Sequence, residues 1–266
     1  MGGTRCALVM MVAAMGTWSV RPVAAQDNYE IQVYGSELVP TGATMVELHS
    51  NYTTRSGVDL GPGQYTTLHA EHETLEITHG FTNFFEIGYY NFTTIQPGVG
   101  FDWVGTHIRP RVAIPASWHW PVGLSLSQEI GYQKKQYSPD TWTYEIRPII
   151  DQQLGRFYWA LNPTLEISLK GPNANQRPEF SPNVQLGVDV SRKVNLAVEY
   201  YGNFGPVFDF ESFRNTEQEL FPAINYNFGP DWEFNLATGI ALTSHSDVVG
   251  LKMIIGHRFG MAHHGA

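Results

Sequence analysis

From Thr44 onward, apolar and polar residues alternate along the chain in segments of about ten residues, and turn-forming residues separate the segments. A period of two residues is typical of a β-strand, whose successive side chains point to opposite faces. Twelve such segments can be recognised, over residues 44–55, 66–79, 84–95, 105–115, 121–135, 140–152, 157–170, 180–191, 194–204, 218–228, 232–243 and 248–259. The pattern predicts an all-β fold, a single antiparallel up-and-down β-barrel of about twelve strands within residues 44–260.

The composition of the two strand faces indicates which face meets lipid. In segment 157–170, Phe157, Trp159 and Leu161 share one face, and Asn162 and Thr164 lie on the other. A membrane barrel turns its apolar face toward lipid and its polar face toward the lumen. Since the polar faces are rich in Glu, Arg, Asn and Gln, we expect a transmembrane barrel with a polar interior.

The connections also alternate in length. The shorter ones are predicted at 80–83, 115–120, 154–156, 192–193 and 229–231, and the longer ones at 56–65, 96–104, 171–179 and 205–217. The links at 136–139 and 244–247 are short exceptions on the long side. Outer-membrane barrels have short periplasmic turns and longer outer loops. This sorting predicts an even strand count and both termini on the periplasmic side.

Aromatic residues cluster near the predicted short turns. The cluster consists of Phe84, Phe85, Trp118, Trp120, Phe157, Trp159, Phe228, Trp232 and Phe259. Amphipathic rings at headgroup level form girdles in membrane barrels. We expect an interfacial girdle here, and ordinary aromatic packing is the alternative.

Four prolines, Pro110, Pro148, Pro163 and Pro222, fall inside predicted strands. Proline cannot donate to a strand ladder and is normally confined to edges, first positions or bulges. A closed barrel has no edge, so the sequence predicts β-bulges at these positions unless the strand limits differ.

The N-terminus is typical of a cleaved signal peptide. Arg5 supplies a positive charge, residues 6–18 form a short apolar stretch, and small residues ending at Ala25 form a cleavage site. We predict cleavage after Ala25, with a retained anchor as the alternative. No apolar run long enough for a spanning helix follows.

Between the signal peptide and the barrel lies the segment 26–43. Residues 29–34 alternate like a short strand, which leaves open whether the segment enters the lumen or stays in the periplasm. Residues 261–266 follow the last strand and are predicted to be a short tail.

Net charge and cysteine content narrow the range of possible functions. The formal net charge is −9, and the signal peptide removes two of the positive charges, so the mature protein is acidic and lacks a broad attraction to nucleic acid. Cys6 is the only cysteine and lies in the predicted signal peptide. Disulfides and thiol catalysis are therefore excluded from the mature chain.

Projecting the alternation inward predicts a charged lumen. The candidate lumen-lining residues are Glu47, His49, Glu76, Glu86, His107, Arg109, Arg111, Glu129, Glu145, Arg147, Glu166, Glu199, Lys252 and Arg258. Opposed charges in a pore create a field that selects polar solutes. The alternative is that these charges pair and simply satisfy a narrow interior. A constriction is predicted from Arg109, Arg111, Glu129, Glu145 and Arg147.

Two kinds of chemistry are less well supported by the sequence. The cluster of His and Glu at 69–76 lacks the helical His-Glu-x-x-His spacing, so we predict no metal site and no cofactor.

A lipid hydrolase is the enzymatic alternative, but His49 and Ser50 are adjacent on a strand and point to opposite faces. Residues 244–246 place Ser, His and Ser in a loop without an orienting partner, and no Gly-x-Ser-x-Gly motif occurs. We therefore predict that the protein is not an enzyme.

Several stretches resemble known barrels: YEIQVYGSELVP, ETLEITHGFT, HIRPRVAIPASWHWPVGLSLSQEIGYQ and FPAINYNFGPDWEFNLATGIAL. They are similar to a group of uncharacterised bacterial outer-membrane barrels and, more loosely, to the transporter-like outer-membrane family linked to meta-pathway phenol degradation. The resemblance implies uptake of small molecules, aromatic ones among them, and carries no site residues. The last strand, ending in Phe259, also resembles the signal that barrel assembly machinery reads.

Together these patterns predict an outer-membrane channel or transporter for an unidentified small solute, embedded in outer-membrane lipid. The alternatives are a lipid hydrolase, a closed structural barrel whose loops bind partners, and a soluble secreted β protein.

Overall fold

A computed structural model describes residues 28–57 and 61–260. The predicted signal peptide and the predicted tail lie outside the described residues. The strands are β1 (Thr44–Arg55), β2 (Glu71–Thr82), β3 (Phe85–Gln96), β4 (Gly100–Ala113), β5 (Gly123–Gln133), β6 (Trp142–Leu154), β7 (Phe157–Lys170), β8 (Glu179–Asp189), β9 (Val194–Gly202), β10 (Gln218–Tyr226), β11 (Trp232–Ala237), β12 (Ile240–Ala241) and β13 (Val248–Phe259).

The strands close into one antiparallel barrel. From β1 to β11 each strand pairs with the next one in sequence, and β13 pairs with β11. β13 also returns to pair with β1, beginning with Phe259 opposite Thr44. β11 and β12 are separated by two residues, and both pair with β10, so they occupy one position in the barrel. The barrel therefore has twelve strand positions, which confirms the predicted fold.

The strand limits agree with the sequence pattern at β1, β7 and β13 and shift by a few residues elsewhere. The largest shifts are at the starts of β2, at Glu71, and β4, at Gly100, each five residues from the predicted start. At β4, the predicted long loop at 96–104 is a turn of residues 97–99. The cause is a bulge against β3, where consecutive residues Val104 and Gly105 are both buried. Two consecutive inward residues break the period-two pattern, and this hid the first part of the strand.

The predicted bulges at the four prolines are wrong. The register of β4 against β5 is the same on both sides of Pro110, and the ladder between β6 and β7 keeps its register past Pro148 and Pro163. Each proline is paired on one side of its strand, as with Ile87 opposite Pro110, and the bridges are missing on the other side. A residue's N–H serves only one neighbouring strand, so a proline can leave a local gap in one ladder without a bulge.

The two faces of the barrel differ as predicted. In β1, Glu47, His49 and Asn51 are buried inside, whereas Leu48 and Tyr52 are 40% and 38% exposed on the outside. The same alternation on the other strands produces an outer surface of exposed Leu, Ile, Val and aromatic side chains. An apolar belt around a polar interior is the arrangement of a barrel that crosses a bilayer.

Aromatic residues form a girdle at each end of this belt. At the short-turn end, exposed rings follow the predicted cluster, among them Phe84, Trp118 and Phe157. At the other end, Trp103, Tyr132 and Trp142 lie in a row on β4, β5 and β6, with centroids 6.0 and 5.4 Å apart. The second girdle was missed in the sequence because Trp103 fell within the predicted loop 96–104 and was not assigned to a strand.

Helical structure among the described residues is limited to two single 3₁₀ turns, Ala116–Trp118 and Phe213–Asn215. Neither is long or apolar enough to cross a membrane.

Candidate functional site: the lumen

The barrel lumen is occupied by the chain's own N-terminal residues. Residues 28–43, called the lumen segment below, run from one end of the barrel to the other before β1 begins. At the long-loop end, which is the outer end in barrels of this class, Asn28 Nδ2 donates to Asp247 Oδ2 at 2.8 Å. At the short-turn, periplasmic end, the Val39 amide donates to Glu86 Oε2 at 2.7 Å. The described residues of this segment therefore lie in the lumen, which is one of the two placements that the sequence left open, and the first of them lies at the outer end.

Alternate residues of the lumen segment pack against two different sides of the barrel wall. Ile31 and Val33 are buried in an apolar cluster on one side. The wall of this cluster consists of Ala160, Ala197, Tyr201, Phe221, Ala223, Ala237 and Val249. Small alanine side chains make room there for the two branched side chains. The interior is thus apolar on this side, which the expectation of a polar lumen did not include.

The opposite side of the lumen segment faces the charged wall, and Tyr34 lies at its centre. Its backbone N–H donates to Asn162 Oδ1 at 2.7 Å, and Asn162 Nδ2 donates to the Tyr34 carbonyl at 2.9 Å. The hydroxyl of Tyr34 lies 3.2 Å from that of Tyr90. The guanidinium groups of Arg109 and Arg147 lie 4.7 and 4.9 Å from the centre of the Tyr34 ring. Two cation–π contacts and a paired amide hold this residue firmly in the lumen.

A buried ion-pair network lies on the periplasmic side of Tyr34. Arg109 Nη2 lies 2.7 Å from Glu76 Oε1 and 3.7 Å from Glu86 Oε1. Arg111 Nε lies 3.1 Å from the same Glu86 oxygen, and Arg111 also donates to the backbone carbonyl of Glu37 in the lumen segment. These charges therefore pair with one another and also hold the lumen segment.

A second network lies toward the outer end. His107 Nδ1 is 2.5 Å from Glu129 Oε1 and 3.5 Å from Glu30 Oε2. The imidazole therefore contacts one carboxylate of the barrel wall and one of the lumen segment. The imidazole lies over Gly131 on the neighbouring strand, where any side chain would overlap it. Arg147 Nε contacts Glu145 Oε1 at 2.8 Å.

A third charged group borders the apolar side. The ammonium of Lys252 contacts the Glu199 carboxylate, and it lies 3.2 Å from the hydroxyl of Tyr201. Asn235 Nδ2 donates to the other Glu199 oxygen at 2.9 Å. Most of the acceptors of this pair are therefore satisfied, as a buried pair requires.

All fourteen residues predicted from the alternation occupy inward-facing strand positions. The buried ones are Glu47, His49, Glu76, Glu86, His107, Arg109, Arg111, Glu129, Arg147, Glu199 and Lys252. Glu145 and Arg258 are half-buried, and Glu166 is exposed to a cavity at the outer end.

The residues predicted to form a constriction do not form one ring. Arg109 and Arg111 line a cavity at the periplasmic end, whereas Glu129 and Glu145 line a cavity at the outer end. Arg147 contacts the Tyr34 ring between them. Their role in solute passage stays a prediction.

The two cavities differ in size and charge. The periplasmic cavity has a volume of about 620 Å³ and contains both signs of charge, including Arg192, Lys193 and Asp189. The outer cavity has a volume of about 200 Å³. Nine of its lining residues are acidic: Glu30, Glu129, Asp140, Glu145, Glu166, Glu179, Glu217, Glu219 and Asp247. Within the described residues, no Lys or Arg lines it. The two linings share no residue, and the layer around Tyr34 lies between them.

Sequence reasoning missed several residues of this site, above all Tyr34, Asn162 and Asp151. Ser36 Oγ donates to Asp151 Oδ1 at 2.5 Å, so Asp151 is a further anchor of the lumen segment. The sequence signal for these contacts was the alternation of apolar and polar residues over 29–34. A segment with this pattern that is not a strand of the barrel needs one apolar and one polar surface to pack against.

The serines considered for hydrolysis have other partners. Ser50 Oγ donates to Glu73 Oε2 at 2.8 Å on the outward face, away from the inward His49. Ser246 Oγ donates to the Gln218 carbonyl at 2.8 Å.

The fold is that of bacterial outer-membrane porins. The NanC porin superposes with a TM-score of 0.53 at 9% identity, covering 82% of this chain and 100% of that chain. The KdgM porin in complex with disordered oligogalacturonate superposes with a TM-score of 0.51 at 9% identity, covering 82% of this chain and 99% of that chain. Neither a protein-family model nor a curated protein matches the sequence. The chain is therefore a transmembrane β-barrel of the outer-membrane porin fold.

Proposed function

We propose that the protein is an outer-membrane channel for small polar solutes, that it prefers cations to anions, and that movement of its lumen segment opens it. The observation that carries the cation preference is the outer cavity, with nine acidic side chains and no basic one among the described lining residues. Clefts lined by one sign of charge concentrate ions of the opposite sign.

This preference separates the protein from one structure of the same fold. The KdgM porin was solved with oligogalacturonate, a polyanion. An acidic entrance repels such a ligand and attracts a cation. Tyr29, Tyr65 and Tyr137 share the lining of the outer cavity, an arrangement that favours cationic solutes carrying an aromatic ring. This agrees with the aromatic solutes that the sequence resemblance implies.

Passage requires a change at the layer around Tyr34. The lumen segment is held by polar contacts at both ends and by Ile31 and Val33 in the apolar cluster, and it forms no strand with the barrel. Because it makes no continuous ladder, it can leave its place without breaking the hydrogen bonds that close the barrel. The cavities at its two ends would then join.

Ion conduction in a planar bilayer tests this proposal. The folded protein under a KCl gradient should conduct, with a reversal potential of the sign that cation selectivity gives. The double variant Glu166→Gln and Glu217→Gln, at two carboxylates that line the outer cavity, should shift the reversal potential toward zero. The matched control is Glu71→Gln, which removes an exposed, outward-facing carboxylate at the same end of the barrel and should leave the potential unchanged.

A closed structural barrel is the second candidate, and the paired charges of the lumen favour it. Folded protein that inserts into the bilayer and conducts no ions would support this alternative. Conduction with anion preference would retain the channel and refute its proposed selectivity.

A further inference from the structure

Two carboxylates and one imidazole converge on the inner wall of the barrel, at Glu47 and His49 of β1 and Glu76 of β2. Their side chains are 6%, 0% and 1% exposed. One ligand atom from each lies within 4.8 Å of the other two. Glu47 and Glu76 are direct partners in the ladder between β1 and β2, and His49 lies two residues further along the same face. The spacing follows from the sheet itself and does not depend on a loop.

Each residue of this cluster has a buried polar atom without a hydrogen-bond partner. Within the described residues, neither ring nitrogen of His49 makes a hydrogen bond, and neither do Glu47 Oε1 and Glu76 Oε2. The distance from His49 Nε2 to Glu76 Oε2 is 3.5 Å, which is beyond the usual hydrogen-bond range. Buried polar groups are almost always satisfied. One ring nitrogen of His49 and one oxygen each of Glu47 and Glu76 lie close together without partners, which indicates a missing ligand.

The neighbouring residues orient the cluster. Arg109 Nη2 contacts the other oxygen of Glu76 at 2.7 Å, and Thr78 Oγ1 donates to that same oxygen at 2.8 Å. These contacts turn Glu76 Oε2 toward His49. Residues that fix a ligating carboxylate in this way are common around bound metal ions.

We propose that Glu47, His49 and Glu76 bind a divalent transition-metal ion such as Zn²⁺. An imidazole nitrogen with carboxylate oxygens is a donor set that suits Zn²⁺ and its neighbours. A tetrahedral ion with ligands at about 2.1 Å spaces neighbouring ligand atoms by roughly 3.4 Å, and the His49–Glu76 pair already has nearly this spacing.

The site is reachable and has room for a further ligand. Glu47 and Glu76 line the periplasmic cavity of about 620 Å³. An ion can enter from that side, and water can complete its coordination. The ion would also link β1 to β2 and would compensate the buried carboxylate of Glu47, since Glu76 already contacts Arg109.

Calorimetric titration of Zn²⁺ into the folded protein in detergent at neutral pH tests the proposal. The wild type should bind one Zn²⁺ ion at this site, and His49→Gln should weaken this binding at least about tenfold. Glu47→Gln is the second variant and should have the same effect. The matched control is His72→Gln, which replaces another buried lumenal histidine, bonded to Thr53 at 3.3 Å, and should leave the site intact.

Folding of each variant is checked by the shift in electrophoretic mobility on heating. The absence of a stoichiometric Zn²⁺ site in the wild type would overturn the proposal. So would a site that persists unchanged in folded His49→Gln and Glu47→Gln proteins, because the ion would then be bound elsewhere, for example by histidines outside the described residues.

Discussion

At the scale of single residues, the lumen depends on charges that lie in pairs far from water. Arg109 is the most connected of these, since it contacts two carboxylates and two tyrosine rings. An ion pair that is buried contributes little net stability, but the loss of one partner leaves an uncompensated charge inside.

We expect Arg109→Met to destabilise the barrel by about 3–5 kcal/mol, because Glu76 and Glu86 would lose their cation. The midpoint of urea-induced unfolding, followed by tryptophan fluorescence in lipid vesicles, measures the change. The matched control is Lys134→Met, which removes the cation of a partly exposed pair with Asp102. Its cost should not exceed about 1 kcal/mol. Equal effects of the two variants would show that the Arg109 network does not stabilise the interior.

At the scale of the strands, successive side chains point alternately inward and outward. The direction of a side chain therefore follows from whether its position along the strand is odd or even, which we call its parity. Ile108 lies in the middle of β4 between the inward residues His107 and Arg109, and it is 49% exposed on the outer surface. If this surface faces hydrocarbon, a charge there is costly, and the cost falls toward the interface.

We therefore expect Ile108→Arg to destabilise the barrel by about 2–4 kcal/mol and Phe84→Arg, at the periplasmic girdle, by at most about 1 kcal/mol. Equilibrium unfolding from lipid vesicles gives both values. If the two substitutions cost the same, the depth dependence expected for a lipid-facing surface would be absent.

The strands also show which parts of the structure were accessible from the sequence. Parity alone predicts which residues point inward, and it succeeded even where the limits of a strand were displaced. It failed at Val104 and Gly105, where a bulge places two consecutive residues inside. The prediction of bulges overestimated the effect of the prolines. The N–H donor that a proline lacks would serve only one of the two ladders that its strand forms. Contacts such as Tyr34 with Asn162, 128 residues apart, depend on the stagger of the closed barrel and leave no local signal.

At the scale of the whole molecule, the lumen segment separates two cavities that differ in charge. The outer one is acidic, and the periplasmic one contains both signs of charge. The segment forms hydrogen bonds with strands β1, β2, β3, β6 and β7. Ile31 and Val33 pack into the apolar cluster that includes β9 and β10. Its position accounts both for the lack of a common lining between the cavities and for the alternation of residues 29–34.

The central claim is that the lumen segment controls passage through the barrel, and a reversible tether tests it most directly. Cys6, in the predicted signal peptide, is the only cysteine of the sequence. The double variant Ser36→Cys and Asp151→Cys introduces one pair where the native side chains are 2.5 Å apart. The matched control is Ser56→Cys with Thr67→Cys, at two hydroxyl groups 2.8 Å apart near the outer end of the barrel, which leaves the lumen segment untethered.

The measurement is single-channel conductance in a planar bilayer before and after addition of a reductant. The account predicts that the oxidised Ser36–Asp151 variant stays closed, that reduction restores conductance to the level of the wild type, and that the control conducts in both states. Equal conductance of the tethered variant in its oxidised and reduced states would contradict the account.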